Sequence, residues 1–347
     1  MKSSFGIAVL GAGRMGQEHA RNLLGIPNAR IVAIADPIQA AREKAQATTR
    51  AEKSYAEPEA AISDPNVDAV IIVTPTGTHA DLIEQAANAG KAIFCEKPVA
   101  LELTRTLQAL EVVRAKNVPF QIGFNRRFDP PYALAKQKLE AGEIGAVEQF
   151  ISVMRDPNPP PLEYLKGSGG MFVDQSIHEL DCARFLVGEV EEVSAWGAVL
   201  VDPAIGTVGD VDTGMISLRF KNGALGVIQN SRRSAYGYDV RTEIFGSKGK
   251  LVMDATPKTP LTQYGSGPSS SSSSGGDGKL ETDHFHFFMD RFRDAYRLEI
   301  EAFIHCLETG SQPTPGAVDA LESLRLSVAA TRSLKEGRTV KLMDVQV

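Results

Sequence analysis

Short apolar runs and longer amphipathic stretches alternate through the first third of this sequence. Phe5 to Leu10, Arg30 to Ala35, Asp68 to Val73, Ala92 to Cys95 and Pro119 to Ile122 are compact runs rich in Val, Ile or Phe. Between them, sets such as Leu82, Ile83, Ala86, Ala87 and Leu103, Leu107, Leu110 recur at helical spacing. Nearly continuous apolar strands separated by helices predict a parallel sheet covered on both faces.

The pattern changes after Gly123. A helical segment from about Tyr132 to Leu139 leads into strand-like stretches at Val147 to Val153, Val193 to Val201, Thr213 to Phe220, Ala224 to Asn230 and Val240 to Phe245. Ile216, Leu218 and Phe220 alternate with Met215, Ser217 and Arg219, the period of a half-buried strand. Lys221-Asn222-Gly223 beside it reads as a hairpin turn. The expected second unit is therefore a large, mostly antiparallel sheet, open on one face, with helices on the other, one of them beginning near Asp174. Phe288, Phe292, Tyr296, Phe303 and Leu307 mark a helix near the end of the chain, and Ala317, Leu321, Leu324 and Val328 another. The fold class is α/β followed by α+β, with domains at residues 1–123 and 124–347. Residues 265–278, with six serines from Ser269 to Ser274, cannot bury enough apolar area to order themselves and read as a mobile surface loop.

Composition narrows the function. The 347 residues suit two domains, and 43% hydrophobic content is ample for folded cores. A net charge of -6 supplies no basic field, which excludes nucleic-acid binding as the main role. The opening residues lack a signal-peptide pattern, and no apolar run is long enough for a membrane span. Cys95, Cys182 and Cys306 lie far apart, as in a reducing compartment, so a cytoplasmic enzyme is expected. His284-Phe285-His286, with His305 and Cys306 further on, has no matched carboxylate set, and no metal is expected.

Gly11-Ala12-Gly13-Arg14-Met15-Gly16 fits G-x-G-x-x-G, between an apolar strand and a helix. Gly11 permits the tight turn, Gly13 lets a pyrophosphate approach the backbone, and Gly16 lets helix and strand pack closely. The next strand ends at Asp36, at about the ~20-residue offset of the carboxylate that grips ribose hydroxyls. A carboxylate there repels a 2′-phosphate, so NAD is expected over NADP; Arg42, within helical reach, is the one feature that leaves NADP open. The first domain is thus a Rossmann dinucleotide-binding unit.

Further motifs follow in order: Thr74-Pro75-Thr76-Gly77-Thr78-His79, Glu96-Lys97-Pro98, Gly123-Phe124-Asn125-Arg126-Arg127-Phe128-Asp129 and Gly169-Gly170-Met171-Phe172-Val173-Asp174-Gln175-Ser176-Ile177-His178. With the glycine loop they make the chain resemble the Gfo/Idh/MocA oxidoreductases over nearly its whole length, and within them the inositol 2-dehydrogenases. Lys97, at the carboxyl end of a parallel strand, can polarise a hydroxyl and stabilise a developing alkoxide. Asp174 and His178 are four residues apart, which on one helix places both on one face, where the carboxylate would orient an imidazole base. The resemblance implies that Lys97, Asp174 and His178 are catalytic. It also implies that Gly11, Gly13, Arg14, Met15, Gly16, Asp36, Thr74, Pro75, Thr76, His79, Glu96, Lys97 and Asn125 hold the cofactor. Arg126, Asn158 and Tyr236 join the three catalytic residues as polyol contacts.

The implied activity is hydride transfer from a secondary alcohol of a cyclic polyol or sugar to NAD. Alternatives are an NADP-dependent aldose dehydrogenase or a non-catalytic NAD-sensing regulator. One departure stands out: inositol dehydrogenases often carry a histidine where this chain has Val153-Met154-Arg155-Asp156. The expected assembly is a homodimer or homotetramer that covers the open sheet face.

Overall fold

The computed structural model of the protein describes residues 4–254, 285 and 287–346; the serine-rich stretch and His284 and His286 lie outside them. Thirteen strands and thirteen α-helices among these residues build two sheets. The first sheet comprises β1 (Phe5–Leu10), β2 (Ala29–Ala35), β3 (Lys53–Tyr55), β4 (Ala69–Ile72), β5 (Ala92–Glu96) and β6 (Phe120–Gly123). All its pairings are parallel, in the order β3-β2-β1-β4-β5-β6. The crossovers are α1 (Arg14–Leu23), α2 (Gln39–Thr49), α3 (Pro58–Ile62), α4 (His79–Asn88) and α5 (Leu103–Lys116). This is the doubly wound order whose reversal of direction beside β1 opens a binding crevice at the carboxyl strand ends.

After β6 come α6 (Pro130–Glu140), β7 (Val147–Arg155), α7 (Leu162–Leu165), α8 (Met171–Asp174) and α9 (Ile177–Leu186). Next are β8 (Val190–Ala198), α10 (Pro203–Thr207), β9 (Thr213–Phe220), β10 (Leu225–Ser231), β11 (Asp239–Gly246) and β12 (Gly249–Met253). The chain ends with α11 (Phe288–Arg291), α12 (Arg293–Thr309), α13 (Ala317–Glu336) and β13 (Val340–Lys341). The second sheet runs β12-β11-β7-β10-β9-β8-β13, antiparallel except for the β7–β10 pair. Its inner face packs Phe150, Ile216, Leu218, Ile228 and Ile244 against α9 and α13.

Three strands escaped the sequence pattern. β3 and β13 are three and two residues long at sheet edges, too short for a period to register. β12 alternates over five residues only. β8 also starts and stops earlier than expected, because Val190 pairs with Phe220 and fixes its register.

The helix α12 belongs with the first sheet in space. Its Ile300, Phe303 and Ile304 pack among Ile7, Val9, Ile34 and Phe94 on the face that α1 also covers. The boundary at 123/124 therefore separates the sheets, while the end of the chain returns to cover the dinucleotide domain. Among the described residues no helix is long and apolar enough to cross a membrane.

Candidate active site

The carboxyl ends of β1, β2, β4, β5 and β6 deliver, in turn, the glycine loop, Asp36, Thr74, Lys97 and Asn125 to one edge of the parallel sheet. Gly11 has φ +104°, which suits glycine, and a Cβ on Gly16 would stand 1.9 Å from the Gly11 carbonyl oxygen. Nothing lies within 4 Å of the position a Gly13 Cβ would take, so the loop keeps an open cradle at the amino end of α1. That geometry fits a dinucleotide pyrophosphate. Asp36 braces the same loop: its Oδ2 accepts from the Ala12 N–H at 2.7 Å and its Oδ1 from the Ile38 N–H at 2.8 Å. Arg42 donates to the backbone carbonyls of Asp36 and Pro37 at 3.2 and 3.3 Å.

Arg14 stacks over the ring of Phe287, 4.7 Å from its centroid, and Met15 packs against a cluster containing Met154, Tyr238, Phe292 and Tyr296. The end of the chain thus closes over the loop. Thr74, Pro75 and Thr76 stay at the surface of the crevice, where Thr78 Oγ1 ties to Thr74 Oγ1 at 2.7 Å. His79 lies beneath them, buried, with Nε2 2.7 Å from the Thr74 carbonyl and Nδ1 2.8 Å from the Pro98 carbonyl. Each ring nitrogen faces a backbone carbonyl, so His79 ties the Thr74 loop to the Pro98 turn from below. Asn125 is buried at the turn after β6.

Lys97 follows β5 and precedes a cis peptide to Pro98. Its Nζ donates to the backbone carbonyl of Asp174 at 2.8 Å. That bond carries the lysine across from the first domain to α8 of the second. His178 stands nearby with its ring edge-on to Phe124 and its Nδ1 without a hydrogen-bond partner among the described residues. Burial, then the positive charges of Lys97 and Arg126, push the imidazole well below its ordinary value. The charged imidazolium is thereby disfavoured, which favours the ring form that can accept a proton.

The expected Asp174–His178 pair is not formed. The helix breaks between them: the Ser176 N–H reaches back five residues to the Met171 carbonyl, a wide turn that ends α8 before α9 begins at Ile177. Side-chain anchors hold the break. Gln175 Nε2 donates to Asp156 Oδ2 at 2.8 Å, and Ser176 Oγ to Asn230 Oδ1 at 2.8 Å. The inserted residue shifts the helical phase, so Asp174 faces elsewhere. Its Oδ1 accepts from Tyr164 Oη at 2.7 Å and its Oδ2 from Arg232 Nη1 at 3.1 Å.

Arg232 is fully buried and reaches Asp210 Oδ2 at 3.1 Å with its other terminal nitrogen. Asp210 Oδ1 in turn accepts from the N–H of Met171 at 2.8 Å, at the start of α8. Arg232, Asp210 and Tyr164 therefore fix the segment that carries Asp174, and sequence reasoning missed all three. Only their convergence in space identifies them, since they come from β10's exit, the α10–β9 connection and α7.

The proposed polyol contacts scatter. Arg126 is buried, ion-paired with Glu179, and its Nη2 lies 3.1 Å from Met154 Sδ. Its guanidinium also stacks over the Phe292 ring, 5.4 Å from the centroid, and its charge acts on His178. Tyr236 Oη donates to Asp239 Oδ2 at 2.6 Å and accepts from Arg155 at 2.7 Å. Asn158 is exposed on the loop after β7. Met154, where the departure was noted, points inward to Arg126; the group beside Asp174 at the strand end is Asp156. Burial, then the Asp174 charge, raises the Asp156 carboxyl to about 7.

Residues 5–124 match the model for the NAD-binding Rossmann fold of an oxidoreductase family, and residues 136–342 match that for the same family's C-terminal alpha/beta domain. The chain is 43% identical over 340 residues to a myo-inositol 2-dehydrogenase of Thermotoga maritima, covering 98% of this chain and 99% of the relative. It is 40% identical over 337 residues to a scyllo-inositol 2-dehydrogenase (NAD(+)) of Bacillus subtilis, covering 96% and 95%. A crystal structure of scyllo-inositol dehydrogenase from Lactobacillus casei with bound NAD(H) and scyllo-inositol superposes with a TM-score of 0.88 at 28% identity, over 98% of this chain and 99% of that one.

Proposed function

The chain belongs to the Gfo/Idh/MocA oxidoreductase family, and from that premise we propose that it is an NAD-dependent dehydrogenase of cyclic polyols of the inositol type. The observation that carries the reading is the meeting of Lys97 and His178 at the carboxyl edge of the parallel sheet, beside the open glycine cradle. The Gly11 to Gly16 loop, Asp36 and the Thr74 to Thr76 loop would hold NAD, which would supply the acceptor for the hydride. His178 takes the hydroxyl proton, and the Lys97 ammonium steadies the negative charge that develops on the oxygen. Asp174 binds substrate hydroxyls from a position set by Arg232 and Tyr164. Turnover of a panel of inositols and aldoses with NAD and NADP, followed by absorbance of the reduced cofactor, tests this reading; activity confined to aldoses with NADP overturns it.

Cofactor choice follows from Asp36. NAD is expected to be preferred, and Asp36→Ala to lower the ratio of kcat/KM for NAD over NADP, because the repulsion of a 2′-phosphate is removed. The change also removes the carboxylate that grips the ribose diol of NAD, whereas loss of its bond to the Ala12 N–H weakens the loop for both cofactors alike. An unaltered ratio rejects the assignment.

Two coarser features complete the reading. Cys95, Cys182 and Cys306 are free thiols, which supports a cytoplasmic enzyme. Ile151, Trp196, Met215, Leu225, Phe245 and Val252 are exposed on strands of the second sheet, Trp196 by 61%. Self-association over that sheet covers them, giving a homodimer or homotetramer, and a monomer by light scattering at micromolar concentration contradicts this.

A further inference from the structure

A second set of titratable side chains lies behind Lys97, on the face of the first sheet shared by α1 and α12. His19 comes from α1, Glu96 from the end of β5 and Glu299 from α12; one ligand atom from each lies within 4.8 Å of the other two. His19 and Glu299 are fully buried, and the Glu96 carboxylate is 16% exposed. His19 Nε2 and Glu96 Oε1 are 2.7 Å apart. Neither oxygen of the Glu299 carboxyl, nor His19 Nδ1, has a hydrogen-bond partner among the described residues. Phe94 and Tyr296 flank the imidazole with ring centroids at 5.2 and 5.9 Å.

Two carboxylates cannot both be ionised here without a cation. An ionised, unpartnered carboxylate in such a place costs far more than a retained proton. The surrounding charges offer Glu299 no relief. Lys97 donates to the Asp174 carbonyl, Arg126 is paired with Glu179, and the Gln121 amide from β6 donates to the Glu299 backbone carbonyl. Tyr296, on the same helix, is the remaining titratable neighbour. We propose that in the buried triad of His19, Glu96 and Glu299 the Glu299 carboxyl keeps its proton in the folded protein, so that it adds no second negative charge beside Glu96 behind Lys97. Burial and the Glu96 charge raise the Glu299 carboxyl well above its ordinary value, in keeping with the retained proton. The triad joins the cofactor helix, the Lys97 strand and the returning α12 in one charge-balanced contact.

The test is the pH dependence of stability in the full-length protein. In the folded state Glu299 keeps a proton that the unfolded chain releases once pH exceeds the ordinary glutamate value. Its folded affinity for the proton is therefore raised, and wild-type stability is lost as pH rises. Glu299→Gln keeps the shape and removes the retained proton. Its folding constant relative to wild type is expected to rise with pH above ~5, by up to about tenfold per pH unit while the one-proton difference persists. A carboxyl resonance of Glu299 that stays protonated at pH 7, in wild-type protein carrying ¹³C-labelled glutamate, is the companion measurement should the variant fold poorly. A ratio independent of pH, a Gln variant that loses ground as pH rises, or a stoichiometric divalent metal in the purified protein that Glu299→Gln abolishes, each overturns the proposal. None of these readouts uses a substrate, so failure here is distinct from failure of the dehydrogenase reading.

Discussion

His178→Ala is expected to lower kcat by ~10²- to 10⁴-fold on an inositol substrate while NAD affinity stays near the wild-type value. The dinucleotide cradle is built from the Gly11 to Gly16 loop and Asp36, and His178 comes from the second domain. Since burial, Lys97 and Arg126 hold the imidazole below its usual range, the acid limb of kcat/KM should fall below pH ~6.5, the free-histidine value. Protonation of the base is what ends activity, so a depressed value extends activity toward acid. Alkaline buffer should restore part of the His178→Ala rate, because hydroxide takes over the proton. Lys97→Ala is expected to cost ~10²- to 10³-fold, the scale for loss of one charge stabiliser, and should show no such rescue. The double variant should lose less than the product of the single losses, since both residues act at one hydroxyl. Near-normal turnover by His178→Ala at neutral pH sinks the mechanism, although the family assignment stands without it.

Arg232→Met should destabilise the protein by about 3–5 kcal/mol, the range for removing one partner of a buried ion pair. Arg232 is fully buried between Asp174 and Asp210, and the substitution strands both carboxylates in a site that already contains Asp156. The deficit should be smaller at pH 4 than at pH 7, because protonating the stranded carboxyls removes their uncompensated charge. Denaturant unfolding at the two pH values measures it. In whatever fraction folds, KM for the polyol should rise more than KM for NAD, because the Asp174 segment loses its anchor and the glycine loop does not. Equal stability of variant and wild type at pH 7 shows that the pair contributes nothing net.

Much of this was legible in the chain before folding. Parallel strands buried on both faces need continuous apolar runs, so β1, β2, β4, β5 and β6 announced themselves, and the glycine loop and Asp36 sit at fixed offsets from them because the cofactor is bound by backbone placed at strand ends. Lys97 was placed at the carboxyl end of a parallel strand the same way, and it follows β5 there. The pairing of Asp174 with His178 failed, because it assumed an unbroken helix. Whether a helix carries an inserted residue at Gln175 is decided by the bonds from Gln175 and Ser176 to Asp156, Ser231 and Asn230, which arrive from strands far along the chain. Arg232, Asp210, Tyr164 and Asp156 share no motif and become neighbours only when β7, β10 and α8 meet. Likewise Glu299 lies about two hundred residues after Glu96 and acquires its meaning only where α12 returns to the first sheet. Periodicity and motif spacing are properties of neighbouring residues, and so they determined the elements and the cofactor edge. Partnership among buried charges depends on which distant side chains share a low-dielectric space, and that only the tertiary structure decided.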